Sequence, residues 1–159
     1  MLFATQANPD DLPSLPSSID GVEWRLDLAR DPSLKRIADY LAKSPVPVML
    51  TLRHHSHGGN YRGTVQERES MILELLKLKP AYFDAEWDMR PEFLKDLSKS
   101  FPATRVVLSY HNFDGIPDSL EALYKKMSAI EAFAYKIAIA PKTATEALQA
   151  LLFSKQHPQ

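Results

Sequence analysis

Six short apolar runs, separated by helical or linker segments, restrict the fold of this sequence more than any other feature. Each run has the length and composition of a β-strand, and most of them end at charged or histidine residues. The predicted strands are Leu2–Thr5, Gly21–Leu28, Val48–Arg53, Tyr82–Asp88, Arg105–His111 and Ala132–Pro141. A strict alternation of strands with helical segments predicts a parallel sheet covered by helices on its outside.

The helical segments show apolar residues at helical spacing and capping residues at their starts. The predicted helices are Pro32–Lys43, Thr64–Lys79, Pro91–Phe101, Asp118–Glu131 and one that opens at Thr143. Asp31 is the predicted cap of the first helix. Asp118 with Glu121, and Thr143 with Glu146, match the spacing of capping boxes.

Ionisable residues fall late in strands two to six, where alternation places them on one common surface. Polar groups that converge at the carboxyl ends of several strands are typical of a (β/α)₈ barrel active site. A doubly wound sheet also binds ligands there, but the glycine-rich phosphate turn that usually marks it is missing. A full barrel needs eight strands and the sequence supplies six. We therefore predict an α/β fold of TIM-barrel type, truncated to about six β/α units and forming one partial domain over residues 1–159.

The composition fits an ordinary globular domain: 159 residues, 45% of them hydrophobic and 25% charged. A net charge of −1 gives no support for binding to nucleic acid or to an anionic membrane. The sequence has no cysteine, so it offers no disulfide and no thiol nucleophile, which fits a cytoplasmic protein. We find neither a signal-peptide pattern at the N-terminus nor an apolar run long enough to span a bilayer.

The sequence contains two clusters of potential metal ligands, and for each cluster more than one role is open. Three histidines follow the third strand, where they form either a Zn²⁺ site or a solvated loop, and they match no compact metal motif. Three carboxylates alternate at the fourth strand, where they serve in acid–base catalysis, bind Mg²⁺, or pair with Arg25 and Arg53. These residues are His54, His55 and His57, and Asp84, Glu86 and Asp88.

Lys136 lies inside the apolar sixth strand, and His111 ends the strand before it. A lysine in such a strand either reaches solvent or a carboxylate with its ammonium group, or points into a polar cavity. A desolvated, neutral lysine condenses with ketones to form imines, and a histidine moves protons near neutral pH. Since sequential strands of this type are neighbours, we expect the two side chains to meet. This chemistry needs no metal and no organic cofactor.

The sequence resembles the type I 3-dehydroquinate dehydratases, the Schiff-base enzymes of the shikimate pathway. The matching segments follow the family order and cover nearly the whole chain, and together they are more specific than any one alone. They are Glu23-Trp24-Arg25-Leu26-Asp27, Leu50-Thr51-Leu52-Arg53 with Gly58-Gly59, Phe83-Asp84-Ala85-Glu86, Ser109-Tyr110-His111-Asn112-Phe113, and Lys136-Ile137-Ala138 with Pro141.

The resemblance implies a (β/α)₈ barrel lyase that dehydrates 3-dehydroquinate to 3-dehydroshikimate, a step of aromatic amino acid biosynthesis. It implies that Lys136 forms the imine with the substrate ketone and that His111 is the general acid and base. The positions matching those that hold substrate hydroxyls are Glu23, Arg25 and Arg53, with Thr5 where the family usually has a serine.

The sequence departs from the family pattern in three places. His57 stands where the family has a glutamate that orients the catalytic histidine, so we expect a slower enzyme or another partner for His111, such as Glu86. Residues 8–18 contain three prolines and are predicted as a loop or a short broken helix, so we expect the first outer helix to be reduced or lost. The sequence ends after the helix that follows the sixth strand, before the family's seventh strand, whose arginine binds the substrate carboxylate in the family.

Three hypotheses remain open on the sequence alone. The first is a type I dehydratase in ancestry and residue chemistry, with activity either intact or impaired by the missing strands. Because an open sheet exposes its edges, we expect it to aggregate, to recruit a partner such as a second copy or a complementing C-terminal fragment, or to be a fragment of a longer parent. The second is a catalytically impaired remnant or assembly subunit that needs a complementing C-terminal fragment. The third is another Schiff-base lyase of class I aldolase type. The sequence also resembles the front part of family members that are fused to shikimate dehydrogenase.

Overall fold

The computed structural model describes residues 1–8 and 18–157, and a single parallel sheet of six strands organises them. The strands are β1 (Phe3–Gln6), β2 (Gly21–Arg25), β3 (Val48–Thr51), β4 (Tyr82–Glu86), β5 (Arg105–Asn112) and β6 (Ala134–Ile139). Their order in the sheet is their order in the sequence, and every neighbouring pair is parallel. Because successive strands lie side by side in one direction, the fold is the predicted TIM-barrel type with six strands.

The described residues contain five α-helices, and all of them connect or follow strands of this sheet. They are α1 (Leu34–Lys43), α2 (Val65–Lys77), α3 (Pro91–Ser100), α4 (Leu120–Met127) and α5 (Ala144–Gln156). Residues 9–17, most of the segment predicted as a loop with a reduced first helix, lie outside the described residues. No helix within residues 1–8 and 18–157 is long and apolar enough to cross a membrane.

Two of the predicted helix caps are wrong, and one is half right. Helix α1 begins after Ser33, because the carboxylate of Asp31 accepts the Ser33 N–H instead of capping the helix. Helix α4 begins after Ser119, whose hydroxyl accepts the Ala122 N–H in place of the predicted Asp118–Glu121 box.

At the start of α5, the Thr143 hydroxyl accepts the Glu146 N–H as predicted. The Glu146 carboxylate, however, accepts the N–H of Lys142 rather than that of Thr143, so the box is not reciprocal.

Alternation along the strands separates an apolar outer face from a polar inner face. Trp24, Leu50 and Phe83 are adjacent in register on β2, β3 and β4 and are fully buried beneath the helices. The inner face carries two rows in register, Arg25–Thr51–Asp84 and Glu86–Ser109–Lys136. Both rows lie towards the carboxyl ends of the strands, so the sheet gathers its ionisable groups at one end.

Strands β2, β3, β4 and β6 end earlier than predicted, and in the first three this changes where the last polar residues lie. Strand β2 ends at Arg25 rather than Leu28, since residues Leu26–Leu28 form a 3₁₀ turn. Strands β3 and β4 end at Thr51 and Glu86, so Arg53 and Asp88 stand just beyond the sheet, in the segments that follow.

Candidate active site

Arg53 is the centre of the polar face, and its guanidinium links three neighbouring strands. Nη2 donates to Oδ2 of Asp84 at 2.8 Å, and Nη1 donates to Oγ of Ser109 at 2.9 Å. Nη1 also lies 3.4 Å from Oε1 of Glu86. All four side chains are buried, and charges are tolerated there only because each one has a partner. The predicted pairing of Arg53 with Asp84 and Glu86 is therefore confirmed.

The pKa values of the two carboxylates that contact Arg53 shift in opposite directions. Burial opposes ionisation of Asp84, but the charges of Arg53 and Lys136 and the hydrogen bonds from Arg53 and Ser109 together outweigh it, so the pKa of Asp84 lies below its usual value. Burial dominates at Glu86 and raises its pKa, although Arg53 and the N–H of His54 oppose the rise.

His111 extends from the carboxyl end of β5 towards this guanidinium. Its Nδ1 lies 3.2 Å from Nη1 of Arg53. Because a guanidinium only donates, Nδ1 accepts, and a neutral His111 carries its proton on Nε2. Burial, helped by the charge of Arg53, lowers the pKa of His111 to about 3. His111 therefore enters any reaction near neutral pH as the neutral imidazole.

Lys136 points from β6 into the same cluster. Its ammonium donates to Oδ2 of Asp84 at 3.3 Å and lies 3.5 Å from Oε1 of Glu23. Of the two readings of this strand lysine, the contact with carboxylates is confirmed, and the side chain is 36% exposed rather than fully desolvated. Asp84 Oδ2 also accepts from Arg53, so one carboxylate oxygen joins the lysine to the residue that contacts His111.

Glu23 is fixed by hydroxyl groups from the strands on either side of β2. Thr5 on β1 donates to its Oε2 at 2.7 Å, and Thr51 on β3 donates to its Oε1 at 2.8 Å. Thr5, which stands where the family usually has a serine, is thus a hydrogen-bond partner of Glu23 in this structure.

Arg25 does not pair with the carboxylates of β4, so that part of the prediction is wrong. Its Nε and Nη2 instead donate to the two oxygens of Asp27, each at 2.8 Å, because the 3₁₀ turn after β2 brings Asp27 back beside it. Burial would raise the pKa of Asp27, but the hydrogen bonds from Arg25 and from the N–H of Asn60 keep it below its usual value. Asp27 also accepts the N–H of Arg53 at 3.3 Å.

Arg68 on α2 is the principal polar residue that the sequence analysis missed. Its side chain is 2% exposed; Nη1 donates to Oε2 of Glu86 at 2.7 Å, and Nη2 donates to both oxygens of Asp88 at 3.0 and 3.1 Å. A signal was present, because Arg68 lies on the same helical face as the buried residues Ile72 and Leu75.

Among the three histidines after β3, only His57 contacts the carboxylates of the candidate site through its side chain; His54 does so through its backbone N–H, which donates to Glu86 at 3.0 Å. Nε2 of His57 lies 3.3 Å from Oδ2 of Asp88, while His54 caps the short 3₁₀ turn His55–His57 and His55 is exposed. The contact of His111 is with Arg53 rather than with the Glu86 suggested by the sequence. Within the described residues no three His, Asp or Glu side chains are grouped so as to hold a metal ion.

Five of the six predicted site residues, Thr5, Glu23, Arg53, His111 and Lys136, therefore lie in one hydrogen-bonded cluster. The sixth, Arg25, is joined to it through Asp27, which accepts the backbone N–H of Arg53. A polar cluster at the carboxyl ends of parallel strands, over a sheet of this order, places the chain among the barrel-type α/β proteins.

Comparison with known proteins identifies the family. A family model described as type I 3-dehydroquinase matches residues 4–159, and the chain belongs to this family. The 3-dehydroquinate dehydratase of Streptococcus mutans is 29% identical over 153 residues, which cover 94% of this chain and 66% of that protein. The bifunctional 3-dehydroquinate dehydratase/shikimate dehydrogenase of Arabidopsis thaliana is 32% identical over 123 residues, covering 75% of this chain and 20% of that protein. The resemblance seen in the sequence, including that to the fusion proteins, is confirmed.

The solved structure of the Enterococcus faecalis 3-dehydroquinate dehydratase superposes with a TM-score of 0.82 at 21% identity. The alignment covers 98% of this chain and 72% of that one, so the two share their fold. Measured against curated relatives, this chain spans 66% of the Streptococcus mutans protein and 20% of the Arabidopsis thaliana protein.

Proposed function

We propose that this chain is the dehydratase part of a type I 3-dehydroquinate dehydratase, a hydro-lyase that converts 3-dehydroquinate to 3-dehydroshikimate in the shikimate pathway. One observation supports the proposal most strongly. Lys136 and Arg53 share Oδ2 of Asp84, and Arg53 contacts His111, so the nucleophile and the proton-transfer group belong to one cluster on adjacent strands.

The proposed reaction begins when the neutral amine of Lys136 adds to the substrate ketone and water is expelled, leaving a protonated imine. The ammonium must lose a proton before it attacks, and Asp84 and Glu23 are the bases in contact with it, at 3.3 and 3.5 Å. The imine withdraws electrons from the neighbouring carbon and so acidifies its C–H bond.

Elimination then requires the movement of one proton and the loss of one hydroxyl group. In this proposal His111 removes the proton next to the imine carbon, and the electron pair forms the new C=C bond as the hydroxyl departs. His111 returns the proton to the departing hydroxyl, which leaves as water, and hydrolysis of the imine restores the Lys136 amine. The atoms balance as the net loss of one water, with no metal and no organic cofactor.

The remaining proposed site residues hold the substrate. Arg53 and Glu23 present charged groups beside the lysine, and Thr5 fixes the orientation of Glu23. Asp27 occupies Nε and Nη2 of Arg25, which leaves Nη1 as the atom that we propose donates to a substrate hydroxyl.

We further propose that residues 1–159 form one partial barrel domain that works with a second piece of protein. Helix α5 exposes Leu148, Leu151 and Leu152, an apolar surface that favours such a contact. The partner is either a second copy of the chain or a fragment corresponding to the remaining part of the longer relatives. The proposal includes a small-molecule substrate. It also includes a cytoplasmic location, and cell fractionation tests that location.

The experiment is an assay of 3-dehydroquinate turnover, followed by the ultraviolet absorbance of the conjugated enone product. The chain is assayed alone and with the C-terminal fragment of a longer relative, and its mass in solution is measured in parallel. We expect turnover in at least one of these states and none from the Lys136→Ala variant. Absence of turnover in both states would overturn the proposal in favour of a remnant, and turnover of an aldol substrate instead would favour an aldolase.

A further inference from the structure

A series of polar contacts runs from the loop after β3, through the segment after β4, into helix α2. His57 Nε2 lies 3.3 Å from Oδ2 of Asp88, and the same oxygen accepts from Nη2 of Arg68 at 3.0 Å. Nη1 of Arg68 then donates to Oε2 of Glu86 at 2.7 Å. His57 is thereby tied to a buried ion-pair network rather than to solvent, although it lies in a loop.

The same series continues to the candidate catalytic histidine and closes on itself. Glu86 Oε1 lies 3.4 Å from Nη1 of Arg53, and that atom lies 3.2 Å from Nδ1 of His111. The rings of His111 and His57 face each other edge to face, with centroids 6.5 Å apart and planes at 79°. The two imidazoles therefore stand at opposite ends of this series of contacts and face each other.

The geometry at His57 is that of a held imidazole with one buried nitrogen. Nε2 is occupied by Asp88, whereas Nδ1 is buried and has no hydrogen-bond partner within residues 1–8 and 18–157. The hydrogen bond with Asp88, against the effect of burial, raises the pKa of His57. The charged form of this ring, which lies beside His111, is thereby favoured.

We propose that His57, held by Asp88 and Arg68, is a positioning residue that keeps His111 in its neutral form, with Nδ1 as the acceptor and the proton on Nε2. A second cation beside His111 disfavours its protonation, and Arg53 fixes which nitrogen accepts. The catalytic consequence rests on the proposed function, but the effect on His111 does not, because it exists in the free chain.

Other charged groups face both rings and set the background of this effect. His111 is also faced by Lys136, which disfavours its protonation, and by Asp84, which favours it. Glu86 faces His57 and favours its charged form. Replacing His57 alone leaves these groups in place, so a change in the titration of His111 reports on His57.

The experiment is a pH titration of the ¹⁵N-histidine-labelled chain without substrate, followed by NMR of the His111 ring nitrogens. His57→Gln removes the charge at similar size, and His57→Glu replaces it with a carboxylate. The control is His55→Gln, which removes an exposed histidine of the same loop.

We expect the midpoint of His111 to rise by about one pH unit in His57→Glu and by less in His57→Gln, with no change in His55→Gln. In the unchanged chain the ring signals at neutral pH report a protonated Nε2. The inference is overturned if the midpoint in both His57 variants equals that of the unchanged chain, and equally if the proton is found on Nδ1. Should His57→Glu fail to fold, the result for His57→Gln decides.

The pH dependence of turnover distinguishes a positioning role of His57 from a role in packing alone. The acidic limb of the pH profile of kcat should move in the same direction as the His111 midpoint, and Asp88→Asn should reproduce part of the movement. The NMR result stands whether or not the chain dehydrates 3-dehydroquinate, so failure of the inference and failure of the proposed function give different outcomes.

Discussion

The guanidinium of Arg53 contacts Nδ1 of His111, with Nη1 at 3.2 Å, and because a guanidinium can only donate, Nδ1 is the acceptor. Through Nη2 the same guanidinium binds Asp84, the carboxylate that also accepts from Lys136. One arginine side chain thus sets the tautomer of the proposed base and indirectly locates the proposed nucleophile.

Acid should destabilise the chain through His111. In the folded chain the pKa of His111 is lowered to about 3, chiefly by burial, whereas in the unfolded chain it is ordinary. Between these two pKa values, His111 is protonated in the unfolded chain and neutral in the folded chain. The free energy of unfolding therefore falls as the pH falls from about 6.5 towards 3. Urea unfolding at several pH values should show a shallower fall for His111→Gln. Equal slopes for the two proteins would contradict the prediction, and the exposed His55→Gln serves as the control.

Arg68 should contribute more to stability than any exposed arginine. Its replacement by Met leaves Glu86 without one of its partners and Asp88 without its bidentate one. Removing one member of a buried ion pair typically lowers the free energy of unfolding by about 3–5 kcal/mol. The measurement is urea unfolding at neutral pH, with Arg62→Met, at an exposed position, as the matched control. A loss for Arg68→Met as small as that of the control would show that the network is dispensable.

Much of the fold could be predicted because burial leaves a direct trace in the sequence. Strands covered on one face by helices and lying in a parallel sheet give short apolar runs, and all six were found. Their ends were less predictable: alternation continues from Arg25 through Leu28, but the backbone turns at Leu26, so Asp27 meets Arg25. Periodicity describes which face a residue occupies and says little about where a strand stops.

The site could be predicted where its residues lie on strands or, like Arg53, just after one. Register brings Glu86, Ser109 and Lys136 together, and period-two spacing indicates that they share a face. The pairing of His57 with Asp88 depends on two loop conformations, and no spacing in the sequence indicates it. Contacts between loops that are not neighbours in the sequence, such as this one, are seen only in the structure.

The double glycine after the histidine loop should be needed for different reasons at its two positions. A Cβ at Gly59 would lie 2.1 Å from the carbonyl oxygen of Arg53, so the backbone beside the site would have to move. The atoms nearest to a Cβ at Gly58 belong to the exposed side chain of Phe113, at 2.5 Å, and the φ of +76° at Gly58 is also unfavourable for alanine. We expect Gly59→Ala to lower the free energy of unfolding by about 2 kcal/mol or more, and Gly58→Ala by about 1–2 kcal/mol.

The comparison is sharpened by combining Gly58→Ala with Phe113→Ala. In that background the clash is removed and only the penalty of the positive φ remains, so Gly58→Ala should become less harmful. If Gly59→Ala proved as mild as Gly58→Ala, the close approach of this loop to Arg53 would be wrong. Thermal unfolding of the four variants and the unchanged chain gives the ranking.

His111→Ala should separate the two stages of the proposed reaction. Without the imidazole the elimination should slow by roughly 10²–10⁴-fold, the usual contribution of general acid–base catalysis. The amine of Lys136 remains, so imine formation should persist at a reduced rate. Single-turnover measurements resolve the stages, with His55→Ala as a control that should behave like the unchanged chain. Slower imine formation with an unchanged elimination step would reverse the assigned roles.

The central claim, that the Lys136 amine bonds covalently to a ketone substrate, is tested most directly by reductive trapping. The chain, alone and with the C-terminal fragment of a relative, is incubated with 3-dehydroquinate and borohydride, digested, and mapped by mass spectrometry. The account predicts a stable secondary amine on Lys136 in the unchanged chain and in the Lys142→Ala control, and none in Lys136→Ala. An unmodified Lys136 in both states of the chain, or an adduct that survives in Lys136→Ala, would contradict it.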